Sequence, residues 1–152
     1  ILQLSQVTKI ALTQAKIAFD KNEVPVGAVV FNKDKIITKA YNMIICKNDP
    51  LGHAEIIALK KATKKLKTTN LRDCSLYVTL EPCPICSFII SKYKVGSVYF
   101  GAYETREETF LNSNNFFLKN EKNFTPKIYG GIGEKESKDL LKAFFKMLRK
   151  KL

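Results

Sequence analysis

Two cysteines three apart, the first directly behind one proline and the second two residues behind another, stand in "LEPCPICSF" (residues 80–88), and the chain's one histidine stands in "GHAEI" (52–56). Thiolate sulfur and imidazole nitrogen are ligands suited to Zn²⁺. Residues three apart share a helix face, so Cys83 and Cys86 can point at one spot. A helix N-terminus lowers thiol pKa toward the thiolate a metal requires. Pro82 and Pro84 suit a first helical turn, where an amide hydrogen has no partner to lose. C-x-x-C alone also reads as a redox pair. His53 opens the preceding helix and supplies a third ligand if both helices start at one sheet edge. Three protein ligands and one open position make the catalytic zinc pattern.

Glu55 stands two residues after His53. In mid-helix such residues face apart. At an open first turn a long carboxylate can still fold toward the metal and serve as general base for its water, while the plainer reading is a solvated helix glutamate. Cys74 precedes the strand that leads to Cys83. About six extended residues put it roughly 20 Å away, so it reads as a buried small hydrophobe. Distance does not exclude Cys46, in the loop before His53, although an unliganded loop thiol is the simpler reading.

These residues need elements to hold them. Apolar spacing predicts a helix over residues 2–20, and "VPVGAVVF" and "KIITKAY" read as the strands of an antiparallel hairpin closed by "NKD". A loop over 42–52 leads to a helix over 53–66, a strand over 75–80, a helix over 82–93 and a strand over 95–102. Strands alternating with helices predict crossovers in a mostly parallel sheet with the hairpin at one side. In open α/β sheets sites form past the carboxyl ends of strands, which is where Cys83 and Cys86 fall. The asparagine-rich stretch within 103–125 predicts a loop or a frayed helix, "PKIYGGI" an edge strand, and "EKESKDLLKAFFKMLRKKL" a closing amphipathic helix, acidic early and basic late.

The length of 152 residues suits one domain, 1–152. No apolar run approaches a membrane span, and Lys9 and Lys16 within the first stretch fit neither a signal peptide nor an anchor. Four cysteines, two of them in C-x-x-C, point to a reducing compartment. The net charge of +12, from 26 basic and 14 acidic residues, favours a polyanionic partner such as RNA, and equally suits a lysine-rich proteome.

H-A-E followed by P-C-x-x-C resembles the zinc-dependent nucleobase deaminases, whose signature and mechanism these are. "EVPVGAVV", "NDPLGHAEI", "LYVTLEPCPIC" and "VYFGA" make the chain most similar to the bacterial tRNA-specific adenosine deaminases within that superfamily. The resemblance implies a cytidine-deaminase-like α/β/α sandwich around a mixed five-stranded sheet with an N-terminal hairpin, and a cytoplasmic homodimer. It implies one Zn²⁺ per chain on His53, Cys83 and Cys86, with Glu55 moving protons for a zinc-activated water. The substrate implied is adenosine at the wobble position of a tRNA anticodon stem-loop, converted to inosine. By the same resemblance Asn42 contacts the flipped base, Ala54 offers it a backbone amide, Val26 lines the pocket and Glu104 takes the place of an aspartate. Asn42 also reads as an ordinary strand-end turn residue. Arg149, in the basic end of the last helix, is placed to meet phosphates. The chain departs from the family from Glu104 onward, where "ETREETFLNSNNFFLKNEKNF" stands in place of a lysine and a glycine-rich stretch on the RNA side. Two rivals share parts of the pattern. One is a small-molecule deaminase acting on guanine, cytosine or a nucleoside. The other is a non-catalytic zinc module that binds nucleic acid, which needs Cys46 as a fourth ligand and leaves Glu55 without a role.

Overall fold

The computed structural model describes residues 1–104 and 124–152. Helix α1 (Leu4–Asp20) starts at Gln3, whose amide donates to the Gln6 side chain at 2.9 Å in a reciprocal cap. Its buried face carries Val7, Ala11, Ala15 and Ala18. Strands β1 (Gly27–Phe31) and β2 (Ile36–Tyr41) form the expected hairpin. Asn32 Oδ1 closes its turn by accepting the amides of Asp34 and Lys35, both at 2.9 Å. There follow α2 (Ala54–Leu66), β3 (Ser75–Leu80), α3 (Pro84–Lys92), β4 (Ser97–Ala102), β5 (Lys127–Tyr129) and α4 (Glu134–Lys150). Much of the asparagine-rich stretch lies outside the described residues.

The five strands run in the order β2-β1-β3-β4-β5. β1 is antiparallel to both β2 and β3, whereas β3, β4 and β5 are parallel. Four strands therefore run one way and only β1 runs against them, giving the mixed five-stranded sheet that the resemblance implies, with the hairpin inserting its first strand, not its second. Burial gives the reason. The first four residues of β1 are all buried, as an inner strand demands, while β2 exposes Lys39 and is suited to an edge.

Three layers result. Ala28, Val30, Leu76, Val78 and Phe100 pack with Ala58, Leu59 and Ala62 of α2 and Ile90 of α3 on one face. Val29 and Tyr77 pack with Val7 and Ala11 of α1 on the other. Helix α4 joins α1 there, with Phe144 meeting Phe19 edge-on at 5.8 Å. The alternation along β1 and β3 assigns neighbouring residues to opposite layers. Gly27 is required by this packing: a Cβ there would collide with the Ala11 carbonyl, so α1 lies directly on β1. Since β2, β3 and β4 run the same way, the segments that follow them emerge at one edge of the sheet, carrying Asn42, Cys83 and Glu104.

Candidate metal centre and active site

Both ligand-bearing helices begin at that edge, α2 one residue and α3 two residues later than the sequence predicts. His53 is the N-cap of α2 and Cys83 the N-cap of α3, each in extended backbone geometry. Pro84 takes the first helical position, and Pro82 lies outside the helix. The Cys86 amide donates to Cys83 Sγ at 3.5 Å, so the sulfur does the capping an oxygen usually does.

His53 Nδ1 lies 3.4 Å from Cys86 Sγ and 3.9 Å from Cys83 Sγ. All three ligand atoms fall within 4.8 Å of one another, and among the described residues no other such cluster occurs. For a tetrahedral ion with ordinary Zn–N and Zn–S bonds, the N···S separation comes to about 3.6 Å. The observed pair brackets that value, so the donor set fits zinc in both chemistry and spacing. The Pro50 backbone also hydrogen-bonds the imidazole, which adds to its affinity for protons.

The thiols divide one proton unequally. Cys83 is pulled down to about 4, first by the hydrogen bond from the Cys86 thiol and then by His53 and the Cys86 amide, against the opposing effect of burial. Cys86 is pushed far up, first by its bond to Cys83 and then by burial. Cys83 also raises His53 through their hydrogen bond. Glu55 is 4% exposed, and burial foremost raises its carboxyl. Its side chain hydrogen-bonds Cys86, so it reaches the cluster from the first turn of α2. His53, as a cap, stands outside the helical repeat that would have turned the two apart. Of the other cysteines, Cys74 is buried, and Cys46 is exposed and lies outside the cluster.

Asn42 is buried beside this group, its amide donating to Val26 O at 3.1 Å. Val26 itself is buried in the core on the α2 side. The Ala54 amide, expected to face a base, instead donates to Asn42 Oδ1 at 2.8 Å. A helix-start amide needs an acceptor, and the buried carboxamide supplies it.

Glu104 and Arg149 line one groove of about 580 Å³ between the sheet edge and α4. Glu104 is held there by Glu81, whose Oε1 accepts its amide at 3.1 Å. The groove also takes in Lys138, Lys142 and Lys146, which reading the sequence did not single out. Their spacing of four, a signal present in "KDLLKAFFK", puts them on one face. Leu141 and Phe145 line the groove with them.

Residues 3–149 match the MafB19-like deaminase family. The tRNA-specific adenosine deaminase of Rickettsia bellii is 42% identical over 91% of this chain and 97% of that relative. That of Bacillus subtilis is 36% identical over 94% of this chain and 89% of its own. A solved structure from work on A-to-I editing by tRNA:A34 deaminases at the wobble position of transfer RNA superposes with a TM-score of 0.83 at 32% identity, covering 90% of this chain and 99% of that one. With identity sustained over nine-tenths of its length, the chain belongs to the MafB19-like deaminases and stands among the tRNA-specific adenosine deaminases.

Proposed function

We propose that the protein hydrolytically deaminates adenosine to inosine at the wobble position of a tRNA anticodon stem-loop, releasing ammonia. One observation carries this reading: a buried carboxylate, Glu55, meets a three-ligand His/Cys/Cys cluster in a chain so similar to enzymes of that name. One Zn²⁺ per chain, held by His53, Cys83 and Cys86, supplies the Lewis acidity that makes a water nucleophilic near neutral pH. Glu55 takes a proton from the water that attacks C6 and passes it to the purine ring nitrogen. It then takes the remaining proton from the new C6 hydroxyl and delivers it to the amino group as the C6–N bond breaks, so that water and adenosine become inosine and ammonia. The raised affinity of its carboxyl for protons suits it to both halves of this shuttle.

Asn42 holds the base through its carboxamide. Lys138, Lys142, Lys146 and Arg149 meet phosphates along the groove, and Leu141 and Phe145 offer apolar faces to unstacked bases. The protein acts in the cytoplasm, as a homodimer. Ile85 and Phe88, exposed on α3 beside the site, support pairing with a second copy. Among the described residues no helix is long and apolar enough to cross a membrane.

The test is nucleoside mass spectrometry after incubation with a stem-loop bearing wobble adenosine, alongside its guanosine-substituted control and free guanine, cytosine and adenosine. Inosine from the stem-loop, with little product from the free compounds, is the expected result. Rapid turnover of guanine or cytosine with an inert stem-loop would replace this reading by the small-molecule one.

A further inference from the structure

Glu23, in "NEVPVG", is 2% exposed, and its carboxylate faces the loop that joins the two halves of the site. That loop, residues 43–52, leaves Asn42 and returns to His53. Its ends are clipped together: the Met43 amide donates to Gly52 O at 2.8 Å, and a Cβ at Gly52 would stand 2.8 Å from the Met43 carbonyl. Residues 43–47 make a single turn, closed by Lys47 N–H on Met43 O at 3.1 Å. The leading amides of such a turn have no acceptor within it. Glu23 supplies one for two of them from a distant part of the chain. Its Oε1 accepts the Ile45 amide at 3.1 Å and its Oε2 the Cys46 amide at 2.7 Å. Its own backbone is tied to the end of α1, with its amide on Ala18 O at 2.9 Å.

We propose that Glu23 is a positioning residue for the deamination: its carboxylate holds the 43–52 loop as a rigid rim on which nucleotides flanking the target base rest. The proposal builds on the stem-loop reading above. The rim exposes Ile45 and Leu51, with Lys47 between them, which suits base faces and a phosphate. Asn42 and His53 have anchors of their own, on Val26 O and at the start of α2. Loss of the Glu23 carboxylate therefore loosens the rim and leaves the ligand cluster and the proton shuttle in place. Binding of the stem-loop weakens while turnover of bound substrate is kept.

Glu23→Gln retains one acceptor and sets an NH₂ group against the other backbone amide, whereas Glu23→Ala removes both acceptors. Hydrogen exchange of the zinc-loaded full chain should show the Ile45 and Cys46 amides exchanging faster in Glu23→Gln by roughly tenfold or more, the scale of one lost bond to a charged group. KM for the wobble-adenosine stem-loop should rise about tenfold, and further in Glu23→Ala, with kcat within about twofold and metal content equal to the unsubstituted protein's. Faster exchange with an unchanged KM would overturn the proposal, since the carboxylate then serves only loop stability. Loss of kcat together with metal would also overturn it, by showing an action on the ligands, and so would a Glu23→Gln chain that does not fold. Failure of the underlying reading looks different, because the unsubstituted protein itself then leaves the stem-loop unchanged; that result overturns the positioning role as well.

Discussion

The amide of Ala54 donates to Asn42 Oδ1 at 2.8 Å, joining the residue after His53 to the end of β2. The bond decides which end of the carboxamide is spent on the protein. With Oδ1 turned to the backbone, the NH₂ group remains as a donor, and the ring nitrogens of adenine are acceptors. Asn42→Asp keeps an acceptor for Ala54 but replaces that donor with a second acceptor. We expect kcat/KM for the stem-loop to fall roughly 10- to 100-fold, with metal content unchanged. Steady-state kinetics beside elemental analysis checks this, and an unaltered kcat/KM removes Asn42 from substrate recognition.

Glu55→Gln is nearly isosteric but cannot carry a proton between water, ring and leaving group. Turnover should fall by about 10²- to 10⁴-fold, or roughly 3 to 5 kcal/mol of barrier, in a protein that still binds metal and folds. Single-turnover assays on metal-loaded protein measure the effect. Near-normal rates would make Glu55 a bystander.

Metal loading should release protons. Cys83 is already a thiolate near neutral pH, whereas Cys86 retains its proton and His53 is held above its ordinary pKa. Zinc needs both thiolates and a neutral imidazole, so affinity rises with pH and falls as acid protonates His53. Calorimetry in buffers of different ionisation heat should record proton release per zinc bound, larger on the acid side. A Cys83→Ala, Cys86→Ala double variant should lose the metal by elemental analysis; stoichiometric retention would move the site elsewhere.

The basic stripe on α4 predicts a salt effect. Removing Arg149–Leu152, or replacing Lys142 and Lys146 by alanine, should weaken stem-loop binding more than it lowers kcat at saturation. Each lost phosphate contact should reduce the slope of log K against log salt by about 0.7 to 0.9. Binding titrations across a salt series test it. An unchanged slope would assign these residues to a solvated helix face.

Much of the site was legible in the sequence because its signals are local. Pro-Cys-x-x-Cys specifies a capped helix start with two sulfurs on one side, and His-Ala-Glu specifies another start with a carboxylate in its first turn. The helices and strands were legible for the same reason, since periodic burial is written residue by residue. Only the tertiary structure decided what depends on pairing distant segments. β1, not β2, lies against β3, because a strand's neighbours are chosen by the burial of its whole length, and period alone does not reveal that choice. The Ala54 amide goes to Asn42 rather than outward, and Glu23 reaches Ile45 and Cys46, because buried donors and acceptors must find partners wherever the fold brings them within reach. Lys138, Lys142 and Lys146 read as an ordinary charged helix face until α4 is laid along the edge that carries Glu104. The ligand types and their order are thus properties of the chain, while their convergence at one sheet edge is a property of strand direction, which non-local hydrogen bonding sets.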